Sequence, residues 1–203
     1  MNIILIGPPG SGKGTQIKEL KERMDFEVIA TGEIARNLAK SDKNIEETLA
    51  KGELISDEIL LDAIDKVLLN LDKEKNLIFD GFPRNLAQAE KLEKLMLDHN
   101  RTIDSVVYIV LDEQEVVKRL AIRKVCGKCG TPIFSGEKCP HCGGRAILRP
   151  DDNAQTVMNR MQVFLDKTTP LIEFYRNKSI LKEVNGNQSI EDVAKDINEQ
   201  LGL

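Results

Sequence analysis

Gly7-Pro8-Pro9-Gly10-Ser11-Gly12-Lys13-Gly14-Thr15 is the stretch that decides the fold. It follows an apolar segment at 2–6, which is typical of a buried strand, and it leads into an amphipathic, lysine-rich segment at 13–24, which predicts a helix. Glycines let such a loop turn its backbone N–H groups inward at a helix start, where they hold phosphate. A glycine-rich turn without a ligand is the alternative, but the strand, the helix and the position of Lys13 together disfavour it. The predicted phosphate-binding residues are Gly10, Ser11, Gly12, Lys13, Gly14 and Thr15.

Beyond this loop, apolar runs of strand length alternate with segments of helical periodicity. Further strands are predicted at 26–30, 76–79, 105–111 and 180–184. Helices are predicted at 31–39, 45–50, 57–71, 87–97, 113–124, 153–176 and 190–201. Pro170 is expected to kink the helix at 153–176. The alternation predicts an α/β fold with a central, mostly parallel, five-stranded sheet flanked by helices.

Composition excludes several classes of protein. The chain has 203 residues, 41% of them hydrophobic and 31% charged, which suits one globular domain with small insertions. The net charge of −4 argues against a general nucleic-acid-binding protein, which needs an excess of lysine and arginine. Neither a signal peptide nor a membrane span is predicted from the short apolar run at 3–6, so a cytoplasmic location is expected.

The four cysteines form two C-x-x-C pairs, separated by a short polar hairpin that contains Ser135-Gly136. Paired knuckles of this kind are typical of a zinc ribbon, in which four thiolates close the tetrahedral shell and make the metal structural. A disulfide pair or free thiols are the alternative, which an intracellular location disfavours. His141 lies between two of the cysteines and is expected to face solvent. The predicted ligands are Cys126, Cys129, Cys139 and Cys142.

Gly14 stands where a phosphate-binding loop usually has the serine or threonine whose hydroxyl binds magnesium. The resulting Gly-Lys-Gly-Thr ending resembles the adenylate kinase family, and the resemblance extends over essentially the whole chain. It implies a three-layer fold of the P-loop NTPase type, a reaction between MgATP and AMP, and a monomer. It further implies a core at 1–29, 60–122 and 153–203, an AMP-binding insertion at 30–59, and a zinc-binding lid at 123–152.

The same resemblance implies an AMP site built from several segments. Two arginines, Arg36 and Arg84, can make forked bonds to a monophosphate, and the Gln88 amide can read an adenine edge. Asp80 resembles the acidic residue that positions hydrated magnesium, although a helix cap is a competing interpretation, for which Asn85 is another candidate. The implied AMP-binding residues are Thr31, Arg36, Glu53, Leu54, Ile55, Gly81, Phe82, Pro83, Arg84, Gln88, Arg149 and Arg160.

On the donor side, the resemblance implies that arginines at both ends of the lid converge on the transferred phosphoryl group, where fixed positive charge stabilises the transition state. Asp151 and Asp152 are expected to hold those arginines in place. The implied catalytic residues are Lys13, Asp80, Arg84, Arg119, Arg123, Arg149 and Arg160. Further ATP contacts are implied for Arg119, Arg123, Pro132, Ile133 and Gln188. The hairpin between the cysteine pairs is shorter than the family commonly shows.

Two other functions remain open on the sequence alone. One is a kinase for UMP, CMP or GMP with the same loop and arginines, against which Gln88 and the full-length lid argue. The other is a zinc-ribbon nucleotide-binding protein without catalytic activity.

Overall fold

The computed structural model describes residues 1–133, 136–149 and 153–203. Its strands are β1 (Asn2–Ile6), β2 (Phe26–Ala30), β3 (Asn76–Asp80), β4 (Ser105–Val110), β5 (Lys124–Cys126), β6 (Pro132–Ile133), β7 (Ala146–Leu148) and β8 (Leu181–Asn185). Five of them form the central sheet in the order β2-β3-β1-β4-β8, and every neighbouring pair is parallel. The predicted α/β fold is therefore confirmed. The three short strands form a separate antiparallel sheet in the order β6-β5-β7.

Helices cover both faces of the central sheet. They are α1 (Lys13–Arg23), α2 (Thr31–Ala39), α3 (Lys43–Ala50), α4 (Asp57–Leu69), α5 (Leu86–Asp98), α6 (Glu113–Ala121), α7 (Ala154–Val163), α8 (Thr169–Asn177) and α9 (Ile190–Leu201). None of the helices within the described ranges is both long enough and apolar enough to cross a lipid bilayer.

The central strand β1 is buried along its whole length, because alternate side chains point into different halves of the core. Ile4 and Ile6 pack into a cluster with residues of α4, α5 and α8. Ile3 and Leu5 pack on the opposite face with residues of α1 and α9. This packing fixes the carboxyl end of β1, where the glycine-rich loop begins.

Two predicted helices are wrong in their extent. The predicted helix at 113–124 ends at Ala121, because the chain turns there into β5, whose residues pair with β6 and β7. The predicted helix at 153–176 is interrupted by a π-helical turn at Phe164–Thr168, after which α8 begins. Pro170 is the second residue of α8, directly after this turn, and it has no N–H to donate to the helix.

Candidate functional site

The glycine-rich loop is held in a conformation that only glycine fits at several positions. A Cβ atom on Gly7 would lie 2.5 Å from the Ser11 Oγ and 3.0 Å from the Ile109 carbonyl oxygen. Gly12, the residue before α1, has a φ of 90°, in the left-handed region that favours glycine. The helical hydrogen bonds of α1 begin at Thr15, whose N–H donates to the Gly12 carbonyl. The N–H groups of Lys13 and Gly14 come before this point in the helix. These groups are suited to an anion at the helix start.

The Lys13 side chain folds back over this loop. Its Nζ donates to the Gly7 carbonyl at 2.8 Å, to the Pro8 carbonyl at 3.2 Å and to the Ser11 Oγ at 3.1 Å. Burial lowers the pKa of Lys13 to about 8, an effect that Asp80 opposes and that nearby arginines increase. The ammonium group therefore lies in surroundings that favour an anionic ligand.

Four of the charged residues predicted for catalysis lie near enough to Lys13 to act on its charge. The charges that act on its pKa are those of Asp80, Arg84, Arg160 and Arg123. The pKa of Arg84 is itself lowered, first by burial and further by Arg149, while Asp80 opposes the shift. Charge at this one centre thus comes from the carboxyl end of β3, from both ends of the lid and from α7. Such an array of fixed positive charge suits a polyphosphate ligand.

A second anion pocket adjoins this centre and is formed around two glycines. A Cβ atom on Gly32 would lie 3.4 Å from the Arg36 Nη1 and 4.0 Å from the Arg84 Nη2. A Cβ atom on Gly81 would lie 3.0 Å from the Arg84 Nη2 and 3.2 Å from the Thr31 Oγ1. Two guanidinium groups and a hydroxyl therefore approach the same pair of glycines, where the missing side chains let these groups pack against the backbone.

Gln88 lies behind this pocket and is fully buried. Its Oε1 accepts from the Arg84 backbone N–H at 2.6 Å, and its Nε2 donates to the Asp57 Oδ1 at 2.6 Å. Its own backbone N–H donates to the side chain of Asn85, which caps α5. The residue that caps α5 is thus Asn85 and not Asp80. Asp80 is the last residue of β3 and lies beside Lys13. The Asp57 contact has no signal in the sequence.

The segment at 53–55 is part of the connection between α3 and α4. Ile55 is buried in the main core and Leu54 is half-buried, whereas Glu53 is exposed. The end of α3 is attached to α7 by two hydrogen bonds, in which Thr156 Oγ1 donates to the Ala50 carbonyl and Asn159 Nδ2 donates to the Lys51 carbonyl, each at 3.0 Å. Phe82 and Pro83 are also buried, so they support the adjoining Gly81 and Arg84 from the core side.

A cavity of about 710 Å³ lies between α6 and the segment after β8. Arg119 lines it, with its Nη2 donating to the Gly186 carbonyl at 2.9 Å and its Nε donating to the Glu115 carboxylate at 2.9 Å. Gln188 also lines the cavity and donates to the Asp196 Oδ2 at 2.7 Å.

Pro132 and Ile133, the other predicted ATP contacts, belong to the lid strand β6. Ile133 is buried against Cys126 and Cys139. Neither Pro132 nor Ile133 lines the 710 Å³ cavity. The described residues that line it lie on α6, just before α6, or after β8. Asp151 and Asp152 lie outside the described residues.

The four predicted ligand cysteines come together in the lid. Their Sγ atoms all lie within 4.8 Å of one another. The Cys126–Cys142, Cys129–Cys142 and Cys129–Cys139 sulfur pairs lie 3.4, 3.3 and 3.6 Å apart, whereas a disulfide needs about 2.05 Å. Tetrahedral zinc with Zn–S bonds of about 2.3 Å would hold its sulfurs roughly 3.8 Å apart. The donor set and its spacing fit a tetrahedral metal ion, and His141 is exposed, as predicted.

Glycines complete both cysteine knuckles. Gly130 and Gly143 each follow a C-x-x-C pair with φ values of 73° and 69°, and their N–H groups donate to the carbonyls of Cys126 and Cys139. A Cβ atom on Gly144 would lie 2.6 Å from the Cys126 Sγ. The repeated C-x-x-C-G pattern is the sequence signal from which these structural glycines could have been identified.

The family model for adenylate kinase matches residues 5–180 of the chain. The chain is 42% identical to an adenylate kinase of Archaeoglobus fulgidus, over 97% of this chain and 96% of that protein. It is 39% identical to an adenylate kinase of a Geobacillus species, over 100% of this chain and 99% of that protein. It is 37% identical to an adenylate kinase of Staphylococcus epidermidis, over 97% of each. With the glycine-rich loop and the four-cysteine cluster in place, these matches show that the chain belongs to the adenylate kinase family.

Proposed function

We propose that this chain transfers the terminal phosphoryl group of MgATP reversibly to AMP, giving two molecules of ADP. The observation that supports this most strongly is the position of Arg84. Its guanidinium borders the Gly32 and Gly81 pocket, and its charge also acts on Lys13 in the phosphate-binding loop. A donor site and an acceptor site that share one arginine are suited to direct transfer between two phosphates.

In this proposal the loop binds the donor and the glycine-lined pocket binds the acceptor. The AMP phosphate oxygen is already anionic at neutral pH, so in-line attack needs no general base. Catalysis then consists of positioning and charge stabilisation, in which Lys13 and the converging arginines face the negative charge of the transition state. Arg119 and Gln188 border the space for the ATP base, and Gln88 reads the adenine of AMP.

Magnesium enters with ATP and neutralises part of the phosphate charge. The Asp80 carboxylate, half-buried beside Lys13, supplies the oxygen chemistry that hydrated magnesium prefers. Position 14, which usually carries the magnesium-binding hydroxyl, is glycine in this chain. The hydroxyl group nearest to it in the sequence is that of Thr15. We assign Asp80 to the water shell of the ion and Thr15 to the phosphate site.

The lid and the segment at 30–59 are proposed to close over the two nucleotides and exclude water, which would otherwise accept the phosphoryl group. We propose that zinc occupies the four-cysteine cluster and stiffens the lid, with 123–152 as the lid and 30–59 as the AMP-binding segment. The sulfur spacing supports a metal there, and four thiolates favour zinc among the divalent ions.

An acceptor panel tests the proposed function. ADP formation from MgATP should be fastest with AMP when AMP, UMP, CMP and GMP are compared at equal concentration. The reason is that the buried Gln88 amide offers one donor and one acceptor to a purine with an amino group at position 6. If UMP or GMP reacts faster than AMP, the assignment of the acceptor is wrong. If no monophosphate reacts in the presence of metal and magnesium, a non-catalytic nucleotide-binding protein is favoured.

Proton uptake on ATP binding is expected from the lowered pKa of Lys13. With a pKa of about 8 instead of 10.5, Lys13 is about half deprotonated in the free protein at pH 8. Bound phosphates raise this pKa, so the protein should take up about half a proton per ATP at pH 8 and fewer at pH 6.5. Titration calorimetry in two buffers of different ionisation enthalpy measures this uptake.

The matched control for that titration is Lys13→Arg, because a guanidinium stays protonated at both pH values and should take up no proton. Equal heats in the two buffers for the wild-type protein at pH 8 would contradict the lowered pKa of Lys13.

A further inference from the structure

Asp57, the first residue of α4, makes a contact that the proposed chemistry does not use. Its Oδ1 lies 2.6 Å from the Gln88 Nε2, and its Oδ2 lies 3.8 Å from the Lys91 Nζ. Gln88 and Lys91 are three residues apart on α5 and therefore share one face of that helix. About a quarter of the Asp57 side chain is exposed, whereas Gln88 is fully buried.

The two partners of the Gln88 amide fix which way it points. The Arg84 backbone N–H can only donate, so it must meet the amide oxygen. The Asp57 carboxylate oxygen accepts, so it must meet the amide nitrogen. A flipped amide would place donor against donor at Arg84 and acceptor against acceptor at Asp57. Because Gln88 is fully buried, water cannot compensate for either mismatch.

After these two bonds, the amide keeps one free acceptor position on Oε1 and one free donor position on Nε2. Adenine presents an amino donor at N6 beside an acceptor at N1, whereas a 6-oxopurine presents an oxygen acceptor beside an N1–H donor. When the phosphate and ribose hold a nucleotide in one position, an amide of fixed orientation complements only one of these patterns. An amide that can turn accommodates both.

We infer that Asp57 is a positioning residue for acceptor specificity, which holds the Gln88 amide in the orientation that reads adenine. This inference rests on the proposed function, because it concerns how the AMP base is recognised. It assigns to α4 a role in base selection in addition to its packing role in the core.

The experiment compares five variants with the wild-type protein: Asp57→Ala, Asp57→Asn, Gln88→Ala, the Asp57→Ala/Gln88→Ala double variant and Glu58→Ala. Glu58 is the matched control, because it removes a carboxylate from the same helical turn at an exposed position. The measurements are kcat and KM for AMP, KM for ATP, the ratio of kcat/KM for AMP over inosine monophosphate, and the melting temperature.

Asp57→Ala should raise the KM for AMP and lower the preference for AMP over inosine monophosphate, each by about tenfold, as for loss of one hydrogen bond to a charged group. The KM for ATP should not change. Asp57→Asn should recover most of the preference, because its amide oxygen can still accept from Gln88. Glu58→Ala should behave as the wild type. In the Gln88→Ala background, Asp57→Ala should have no further effect on AMP, because the group it orients is gone.

Three results would overturn the inference. They are an unchanged preference in Asp57→Ala, equal losses in Asp57→Asn and Asp57→Ala, and additive effects of Asp57→Ala and Gln88→Ala. A fall in melting temperature with normal AMP preference would assign Asp57 a purely structural role. If the wild-type protein does not phosphorylate AMP, the proposed function fails and the inference with it, whereas an active wild type with a normal Asp57→Ala variant contradicts the inference alone.

Discussion

Lys13→Met is expected to lower kcat by about 10²- to 10³-fold, the range observed when one preorganised group that stabilises transition-state charge is removed. The Nζ of Lys13 lies among the loop carbonyls and faces the charges of Asp80, Arg84, Arg123 and Arg160. Methionine has a similar length and flexibility but carries no charge, so the loop should keep its shape. Initial rates of ADP formation with saturating AMP and MgATP measure the loss.

The same substitution should not destabilise the protein at neutral pH. The pKa of Lys13 is lower in the folded protein than its ordinary value, so the unfolded chain binds the proton more tightly. Below about pH 8 the charged lysine therefore opposes folding, and this penalty decreases as the pH rises towards 10.5. Lys13→Met removes this penalty together with the three hydrogen bonds to the loop, so its melting temperature at pH 7 should stay close to that of the wild type.

The control for this variant is Lys18→Met, which removes a lysine from an exposed position on the same helix. It should leave kcat unchanged. A Lys13→Met variant with near-normal turnover, or one that is inactive only because it is unfolded, would contradict the role assigned to Lys13.

Removal of metal is expected to unfold the lid while the central sheet stays folded. The lid sheet has strands of only three, two and three residues, and its core is formed by Cys126, Ile133 and Cys139 with two partly buried neighbours. Such a small core cannot sustain a fold alone. Structural zinc contributes on the order of 10 kcal/mol in small zinc-binding domains, which exceeds what this lid can replace.

The measurements are metal analysis, hydrogen exchange and ADP formation on the protein before and after treatment with a strong chelator. We expect one zinc ion per chain after purification without added metal. After chelation, amide protection should be lost in 123–149 but kept in β1, β3 and β4, and activity should fall because an unfolded lid cannot exclude water. Cys139→Ser should have the same effects, since Cys139 is a buried member of the cluster.

His141→Ala is the matched control in the lid, because His141 lies between two ligand cysteines but is exposed. It should keep one zinc ion per chain and normal activity. A wild-type protein with intact thiols, almost no metal and a protected lid would contradict the structural role of zinc.

Much of the fold could be predicted because its signals are local. The strand before Gly7, the glycines of the loop and the two cysteine pairs are each contained in a few neighbouring residues, and the structure has them as predicted. The lid strands were not predicted, because runs of two or three residues are too short to show a periodicity. The predicted helix at 113–124 is too long because no glycine or proline between Ala121 and Lys124 marks its end.

The contacts that refine the acceptor site could not be predicted, because they join distant parts of the chain. Asp57 meets Gln88 across 31 residues, and Thr156 meets the Ala50 carbonyl across 106 residues. Asp57 stands at a position that ordinarily indicates a helix start, and Thr156 stands at one that ordinarily indicates a helix surface. Their roles depend on how α4, α5 and α7 pack around the pocket, which spacing along the sequence does not encode.

The most direct test of transfer between two nucleotides is to measure the products formed from MgATP by phosphorus NMR. The measurement is made once with AMP present and once without it. If the chain transfers the phosphoryl group from ATP to AMP, two ADP should form for each ATP consumed, one AMP should disappear with each ATP, and inorganic phosphate should not accumulate. Without AMP, ATP should persist. Release of inorganic phosphate at a rate independent of AMP, or ATP that stays intact with AMP present, would contradict transfer between two nucleotides on this chain.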